Sequence, residues 1–210
     1  DGDGVDEIVV GDGGDSAGAA KAGAIYLLDG TAAGTVNVDD APTVLWGTGE
    51  NDGVDMAFDA GDVDGDGLPD LVVAAEFRGN NDGAVYVFTT PPRGSADVDS
   101  ANAFILGASP ERSVGRASGA AGDVNGDGRG DLVIGYADYG SGYSAALYFG
   151  PFTGTMDIPS ANARFPGIPL VVAAGDVSGD GFDDLVAGNP EDSTLAALGG
   201  AAWLFLGGAD

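Results

Sequence analysis

The chain contains no cysteine and no histidine among its 210 residues. Without cysteine, disulfides cannot hold the fold. Without histidine as well, neither a Ser-His-Asp nor a Cys-His catalytic arrangement can form. Basic residues are also scarce, because 7 Lys and Arg oppose 34 Asp and Glu, and the formal net charge is −27. Such a charge repels nucleic acid and anionic lipid, so we expect neutral or cationic partners.

The sequence also lacks an apolar run of transmembrane length, a signal peptide and any sustained helical period. We therefore expect no membrane insertion, and an export signal that lies elsewhere. The apolar runs are short, β-branched or aromatic, and Gly, Asp and Pro bound them, which is typical of strands and turns. Because 44% of the residues are hydrophobic, the chain can still bury a sizeable core.

One acidic nonapeptide is repeated along the chain. It reads DVDGDGLPD at residues 62–70 (loop 2), DVNGDGRGD at 123–131 (loop 3) and DVSGDGFDD at 176–184 (loop 4), and a copy that lacks its first two positions opens the chain at residues 1–7 (loop 1). Oxygen-bearing side chains at positions 1, 3 and 5, a glycine that permits a sharp turn, and a carboxylate at position 9 suit a hard cation such as Ca²⁺. The repeat therefore predicts calcium-binding loops.

An EF-hand is the alternative interpretation of these loops, since positions 1 to 6 look the same. An EF-hand also needs a bidentate Glu at position 12. The corresponding residues are Val73, Ile134 and Ala187, inside predicted strands. The loops therefore connect two strands and not two helices.

Landmark glycines recur every sixty residues. Gly47, Gly107 and Gly167 each close a short apolar run, and further glycines at 34, 94 and 154 open three similar stretches. This spacing predicts a single domain, 1–210, built as a tandem array of one unit. Its repeats cover residues 1–47 (partial), 48–107, 108–167 and 168–210 (partial).

Four strands fit into each unit. Strand A enters the acidic loop (56–60, 117–121, 170–174), strand B leaves it (8–10, 71–74, 132–135, 185–187), strand C is an aromatic run (24–28, 84–88, 146–149, 202–206), and strand D precedes each of the glycines 47, 107 and 167. A radially repeated four-stranded antiparallel sheet is a β-propeller blade. The predicted fold class is an all-β propeller with 14 strands in this chain, about three and a half blades.

The pattern resembles the FG-GAP repeats of integrin α-subunit propellers and their bacterial relatives. The segments AAGDVNGDGRGDLVIG at 120–135 and GAVYVF at 83–88 carry the likeness. The Phe-Gly pair is replaced by Val54-Asp55 and Val114-Gly115, so the resemblance implies the fold and no specific integrin function. Integrin-like propellers have seven blades. We therefore expect missing sequence or another copy to complete the ring.

The resemblance also implies the metal ligands, which are the side chains at positions 1, 3, 5 and 9 and the carbonyl at position 7. They are Asp62, Asp64, Asp66, Leu68 and Asp70; Asp123, Asn125, Asp127, Arg129 and Asp131; Asp176, Ser178, Asp180, Phe182 and Asp184; and, in the truncated loop, Asp1, Asp3, Val5 and Glu7. Loop 2 has the most charged ligands and should bind calcium most tightly, and loop 1 most weakly. We expect calcium to act structurally, because an oxygen cage without His or a nearby base does not suit catalysis.

Two other motifs have plainer explanations. Residues 129–131 spell Arg-Gly-Asp, an integrin-recognised attachment sequence, but Asp131 and the Arg129 carbonyl are predicted metal ligands. The pairs Asp12 with Asp15, Asp39 with Asp40, and Glu191 with Asp192 could serve acid–base catalysis only by residue type, and we interpret them as solvated loops. We expect no enzymatic activity.

In the resembled family, partners bind the face opposite the acidic loops, so the resemblance implies that any partner of this chain binds there. There the B to C connections carry varied chemistry, including Phe77, Arg78, Tyr139 and Tyr143, and the D to A connections add Glu50, Asp52, Glu111 and Arg112. The sequence therefore predicts an extracellular calcium-binding propeller that acts in adhesion or recognition of a protein or carbohydrate. The alternatives are a non-catalytic propeller of a larger secreted carbohydrate-active enzyme, and a sugar-binding lectin.

Overall fold

The computed structural model describes residues 5–31, 33–90, 92–140, 142–193 and 199–209. Over these residues the chain forms seventeen strands that assemble into four sheets. Neighbouring strands within a sheet are mostly consecutive in sequence and antiparallel. The fold is a partial β-propeller, as predicted.

Sheets 1 and 2 come mainly from the first half of the chain. Sheet 1 has the order β1-β2-β3-β7, with β1 Ile8–Asp12, β2 Ala24–Leu28, β3 Thr43–Trp46 and β7 Ala96–Asp97. Sheet 2 has the order β4-β5-β6-β8-β13, with β4 Val54–Asp59, β5 Leu71–Ala75, β6 Ala84–Phe88, β8 Ala103–Leu106 and β13 Gly154–Asp157.

Sheets 3 and 4 follow. Sheet 3 has the order β10-β11-β12-β14, with β10 Gly119–Gly122, β11 Asp131–Asp138, β12 Gly142–Tyr148 and β14 Ala163–Phe165, and β9 Glu111–Arg112 pairs with the end of β11. Sheet 4 has the order β15-β16-β17, with β15 Leu170–Gly175, β16 Asp184–Asn189 and β17 Ala201–Phe205.

Helical structure is confined to short turns in the described residues. Three 3₁₀ turns recur at the same place in successive units, before each D strand, at Val38–Asp40, Val98–Ser100 and Ile158–Ser160. The turn Arg78–Asn81 contains left-handed residues at Gly79 and Asn80 and is not a regular helix. None of these helical segments has the length and hydrophobicity that a membrane-spanning helix requires.

Apolar side chains pack between consecutive sheets. Because alternate residues of a strand point to opposite faces, the B strand of a middle sheet serves two neighbours. In β5, Val73 packs towards sheet 1 and Val72 packs towards sheet 3. In β11, Ile134 packs against sheet 2 and Val133 against sheet 4. This double burial explains why the B strands of both middle sheets are continuous apolar runs.

Sheets 1, 2 and 3 each contain one strand more than predicted. Strands β7 and β13 belong by sequence to the next unit, yet each pairs in parallel with the D strand of the preceding sheet. Leu45 pairs with Ala96, and Ala103 pairs with Gly154. The 14 predicted strands are all present at nearly the predicted positions, and β7, β9 and β13 are additional. The second and third units thus each supply an outer edge strand to the sheet before them.

Sheet 4 is packed on one face only in the described structure. Val171, Leu185 and Ala187 face sheet 3 and are buried. The alternate residues are exposed, and they are Leu170 (49% exposed), Val172 (45%), Val186 (38%) and Leu204 (53%). Within the described residues, this sheet therefore lacks the second neighbour that the middle sheets have.

Candidate metal loops and the opposite face

The acidic loops are the A to B hairpins of sheets 2, 3 and 4. Loop 2 joins β4 to β5, loop 3 joins β10 to β11, and loop 4 joins β15 to β16. Two glycines in each loop have positive φ, for example Gly65 (φ 86°) and Gly67 (φ 87°) in loop 2. This backbone favours glycine because a Cβ would clash with the chain itself. In loop 2 it lets the side chains of Asp62 and Asp64 turn towards Asp70.

The aspartate at position 1 organises each loop. In loop 2, Oδ1 of Asp62 accepts hydrogen bonds from the amides of Gly65 (2.7 Å) and Asp66 (3.0 Å), and Oδ2 accepts one from Gly67 (2.8 Å). Asp123 and Asp176 accept the same three bonds in loops 3 and 4. These amide bonds lower the pKa of Asp176, and that from Gly181 contributes most.

The aspartate at position 9 closes each loop from the buried side. Asp70, Asp131 and Asp184 are at most 2% exposed, and each accepts a hydrogen bond from the amide at position 2, at 2.7, 2.8 and 2.9 Å. The other carboxylate oxygen also has an amide partner in two loops, since Gly150 donates to Asp131 (3.0 Å) and Gly207 to Asp184 (2.9 Å). In loop 2, Oδ1 of Asp70 is buried and has no hydrogen-bond partner among the described residues.

Burial makes two of these carboxyl groups reluctant to ionise. Desolvation, together with the neighbouring loop carboxylates, raises the pKa of Asp70 to about 6. Desolvation likewise raises the pKa of Asp131 to about 6, against the opposing effect of its two amide donors. A buried negative charge is costly unless a counter-charge compensates it. Both positions therefore suit a cation.

The remaining predicted ligands lie nearer the surface. One carboxylate oxygen from each of Asp62, Asp64 and Asp70 falls within 4.8 Å of the others. At position 5, Asp66, Asp127 and Asp180 are exposed, and each accepts a bond from the amide at position 7. At position 3, Asp64 and Asn125 are half-buried and Ser178 is exposed.

The donor set fits a hard, oxygen-preferring cation. All side-chain ligands are carboxylate, amide or hydroxyl oxygens, which Ca²⁺ prefers. The unpartnered Oδ1 of Asp70 is a second observation in favour of a cation in loop 2, because a buried polar atom without a partner is rare in proteins and requires an explanation. In loop 1, Asp1 and Asp3 lie outside the described residues, while Val5 is exposed and Glu7 is half-buried ahead of β1. The ligand assignment itself stays a prediction.

Adjacent acidic loops are bonded to each other. The amide of Gly130, at position 8 of loop 3, donates to the carbonyl of Asp62 (2.7 Å). The amide of Asp183, at position 8 of loop 4, donates to the carbonyl of Asp123 (2.9 Å). The side chain at position 7 lies over the position 4 glycine of the preceding loop, Arg129 over Gly65 and Phe182 over Gly126. No sequence pattern indicated this ladder.

The Arg-Gly-Asp tripeptide lies within this ladder. Asp131 is fully buried, and Nε of Arg129 donates to the carbonyl of Asp64 (3.3 Å). An attachment sequence must present both side chains to a partner, whereas the Asp131 carboxylate here bonds to two amides of its own chain. The structure thus agrees with a loop role for these residues.

The B to C connections lie at the other end of the strands, and there the structure brings two Arg–Tyr pairs together. Arg112 donates to Oδ1 of Asp82 (3.1 Å), to the Tyr139 hydroxyl (2.9 Å) and to the Asn80 carbonyl (2.8 Å). Tyr139 is 74% exposed. Arg112 therefore holds this tyrosine in place while leaving most of the ring accessible.

The second pair is Arg116 with Tyr143, and sequence reasoning did not single out Arg116. Its guanidinium lies 4.4 Å from the centre of the Tyr143 ring and donates to Oε1 of Glu76 (3.1 Å). Both residues line a small pocket of about 110 Å³ together with Gly135, Tyr136, Ser144 and Pro169. The pairing of Arg with an exposed aromatic was expected, but the spacing in the chain did not reveal this partner.

Other predicted residues of this face have structural roles. Asp52 is only 5% exposed and accepts from the amide of Gly49 (2.8 Å), whereas Glu50 is exposed. Of the carboxylate pairs considered for catalysis, Asp12 accepts from the amide of Gly14, and Asp15 accepts from the Tyr26 hydroxyl (2.5 Å). That hydrogen bond raises the pKa of Tyr26 to about 12.

Consecutive sheets with acidic A to B hairpins define a β-propeller of tandem acidic-loop repeats. The FG-GAP repeat matches residues 56–88, 115–149 and 169–205, together half of the chain, so the chain belongs to the FG-GAP repeat family. Integrin alpha-PS5 of Drosophila melanogaster is 33% identical over 147 residues, which cover 62% of this chain and 14% of that protein. The chain is therefore an integrin-like propeller module that spans a small part of this relative, and the resemblance to bacterial relatives stays a prediction.

Proposed function

We propose that the protein is a calcium-binding extracellular β-propeller that serves as an adhesion or recognition module, with calcium in a structural role. The observation that carries the metal proposal is the buried, unpartnered Oδ1 of Asp70 beside Asp62 and Asp64. A cation there would satisfy this oxygen and relieve the repulsion among the carboxylates. Metal binding would then contribute folding free energy.

An extracellular location follows from the same proposal. Oxygen loops of extracellular modules bind calcium weakly, at dissociation constants of about 10⁻⁴ to 10⁻³ M. Such sites need the calcium levels found outside cells. The integrin-like module and the large negative charge are compatible with a secreted or surface protein that binds neither nucleic acid nor lipid.

Calcium supports recognition indirectly. The acidic loops fix one end of each A and B strand, and the B to C connections lie at the other end of the B strand. A rigid blade presents those connections with less ordering entropy to lose when a partner binds. We propose that the exposed rings of Tyr139 and Tyr143, held by Arg112 and Arg116, contact the partner.

Thermal unfolding with calcium, with magnesium and with excess chelator tests the metal proposal. We expect calcium to raise the midpoint by several degrees and magnesium to raise it less, because magnesium demands a stricter octahedral geometry. Asp70→Asn should reduce the calcium response. Asp39→Asn, an exposed carboxylate between β2 and β3, is the matched control and should leave the response unchanged. Equal midpoints in calcium and chelator would refute a structural metal.

A carbohydrate ligand is the second candidate, because exposed tyrosine rings can stack on sugar faces. This role would fit a lectin or a propeller attached to a secreted carbohydrate-active enzyme. Binding of the calcium-loaded protein to a glycan array and to immobilised extracellular matrix proteins separates the two partner classes. Tyr139→Ala should abolish sugar binding, whereas Arg112→Gln should weaken binding to an acidic protein more strongly. Val36→Ala alters an exposed residue of the β2 to β3 connection, outside the acidic loops and the B to C connections, and should change neither.

We also propose that further blades complete the ring. The exposed apolar residues of sheet 4 alternate along its strands, as residues that contact a next sheet do in sheets 2 and 3. Additional sequence or another copy could supply that sheet. The mass in solution distinguishes the two, because a second copy doubles the mass of the 20.6 kDa chain. A monomer that keeps this face exposed would contradict completion by another copy.

A further inference from the structure

The ladder between acidic loops places side chains of one repeat against the metal loop of the repeat before it. Position 8 donates its amide to the preceding loop, and position 7 covers the preceding loop's glycine. The backbone contacts are the same at both described junctions. The side chains at these positions carry opposite charges.

A positively charged side chain lies against loop 2. The half-buried side chain of Arg129 extends away from its own loop, and its Nε donates to the Asp64 carbonyl (3.3 Å). Asp64 is one of the three residues whose carboxylates converge in loop 2. A guanidinium beside this cluster repels a second cation. The guanidinium also compensates part of the negative charge of these carboxylates whenever no metal ion is bound to them.

A negatively charged side chain lies against loop 3. Oδ2 of Asp183 accepts a hydrogen bond from the amide of Asp123 (2.8 Å), the residue at position 1 of loop 3. The equivalent position in loop 3 is Gly130, which offers loop 2 no side chain. Loop 3 thus has a fourth carboxylate close by that its own nine residues do not contain.

These neighbours reverse the order that ligand charge alone predicts. Loop 2 has four carboxylates of its own (Asp62, Asp64, Asp66 and Asp70), and loop 3 has three (Asp123, Asp127 and Asp131). Arg129 lowers the net negative charge around loop 2, and Asp183 raises it around loop 3. A unit charge roughly 8 Å from a divalent cation at a partly exposed site changes its affinity about three- to thirtyfold.

We propose that Arg129 and Asp183 set the order in which the loops fill, so that calcium occupies loop 3 before loop 2. This inference rests on the calcium binding proposed above. Each affinity is therefore a property of two consecutive repeats and cannot be read from one nonapeptide. Because the charges act through partly solvated space, the difference between the loops should shrink as salt rises.

A calcium titration followed by two-dimensional amide NMR resolves the loops in the otherwise native chain. The amides of Gly65 and Gly67 report on loop 2, and those of Gly126 and Gly128 report on loop 3. At low ionic strength we expect the loop 3 signals to reach half-saturation at a calcium concentration about three- to tenfold below that for loop 2. Raising the salt to about 0.5 M should reduce this ratio.

Two charge-neutralising variants test the named residues. Arg129→Gln should tighten loop 2 about three- to tenfold, and Asp183→Asn, which keeps an oxygen acceptor for the Asp123 amide, should weaken loop 3 by a similar factor. Arg78→Gln and Asp39→Asn make the same charge changes away from these loops and are the matched controls. Asp183→Asn should leave loop 2 unchanged.

The outcomes separate this inference from the proposal on which it rests. If no amide responds to calcium, the calcium function itself is wrong. If calcium binds but loop 2 fills first, or the two variants shift the midpoints no more than their controls, the inference is overturned and the calcium function stands. The salt dependence of the native chain gives the same decision without any substitution.

Discussion

The two middle sheets and sheet 4 share one sequence pattern and differ in what surrounds it. Val133 in β11 and Val186 in β16 occupy equivalent positions, two residues after the closing aspartate of their loops. Val133 is completely buried against sheet 4, whereas Val186 is 38% exposed. The same residue type at the same place thus contributes to a core only where a next sheet is present. Packing in this fold is a property of junctions between repeats.

An acidic substitution at these two valines should separate the regions most strongly. Val133→Asp places a charge between sheets 3 and 4, in an apolar cluster that includes Leu147 and Leu185, and should cost more than about 3 kcal/mol of unfolding free energy. Val186→Asp places the charge near solvent and should cost less than about 0.5 kcal/mol. Urea unfolding in calcium measures both. A similar cost at both positions would show that the outer face of sheet 4 is also covered in solution.

Two glycines at position 4 of their loops give the next largest contrast. Gly126 has φ 74° and Gly179 has φ 78°, so an alanine at either position pays about 1 to 2 kcal/mol of backbone strain. Only at Gly126 would the new methyl group also collide with the Phe182 ring of the following loop. We expect Gly126→Ala to destabilise the protein by about 1 to 2 kcal/mol more than Gly179→Ala. Equal costs in thermal or urea unfolding would mean that the ladder between loops does not form.

The pH dependence in excess chelator should distinguish closing aspartates from exposed loop aspartates. Burial raises the folded pKa of Asp131 from 3.8 to about 6. The stability that this carboxyl contributes is therefore present below about pH 4 and lost as pH rises through 6, on the order of 1 to 2 kcal/mol. Asp131→Asn should reduce this decline in urea unfolding between pH 4 and 7 and leave the part that Asp70, whose pKa is also raised to about 6, contributes.

Asp176 is the control for this prediction, since its amide donors lower its pKa and the sign is opposite. Its contribution is present above its ordinary pKa and is lost as pH falls through the folded value. Asp176→Asn should therefore leave the decline between pH 4 and 7 in place. A wild-type protein whose stability in chelator does not fall over that range would contradict the buried, uncompensated state of Asp131.

The smallest effect concerns the ion pair between Arg116 and Glu76, which joins sheets 2 and 3 on the face opposite the loops. The two atoms are 3.1 Å apart, but Arg116 is half exposed. A double-mutant cycle with Arg116→Gln and Glu76→Gln should give a coupling of about 0.5 kcal/mol, decreasing at high salt. A coupling above about 2 kcal/mol would mean that this face is better shielded from water than the structure shows.

Local pattern was sufficient to predict the strands and the acidic hairpins. Short β-branched runs, the glycines with positive φ and the sixty-residue spacing are all properties of neighbouring residues, and they placed strands such as Ala24–Leu28 and Ala84–Phe88 at the observed bounds. Burial of Asp70 could also be anticipated, because it precedes an apolar strand. Its unpartnered oxygen could not, since that depends on which amides approach from distant parts of the chain.

Contacts between repeats were the part that the sequence did not reveal. Parallel pairing of β13 with β8 joins residues that are far apart, and the segment Gly154–Asp157 looks like a turn when considered alone. The approach of Arg116 to Tyr143 and Glu76 likewise depends on how two sheets lie side by side. The face that would bind a partner is thus less predictable than the loops that would bind calcium.

The edge strands β7 and β13, which each pair with the sheet of the preceding unit, also affect how such arrays can gain or lose repeats by recombination. In both parallel strand pairs, the paired residues are 51 positions apart in sequence. The same separation of 51 residues occurs in two hydrogen-bonded pairs, Thr48 with Asp99 and Thr43 with Gly94. If one sixty-residue unit were deleted or duplicated in frame, a sheet of the kind of sheets 1 and 2 would still receive its edge strand from whichever unit came next. The position of the breakpoint within the unit would not matter. Copy number could then change in evolution without removing such edge strands.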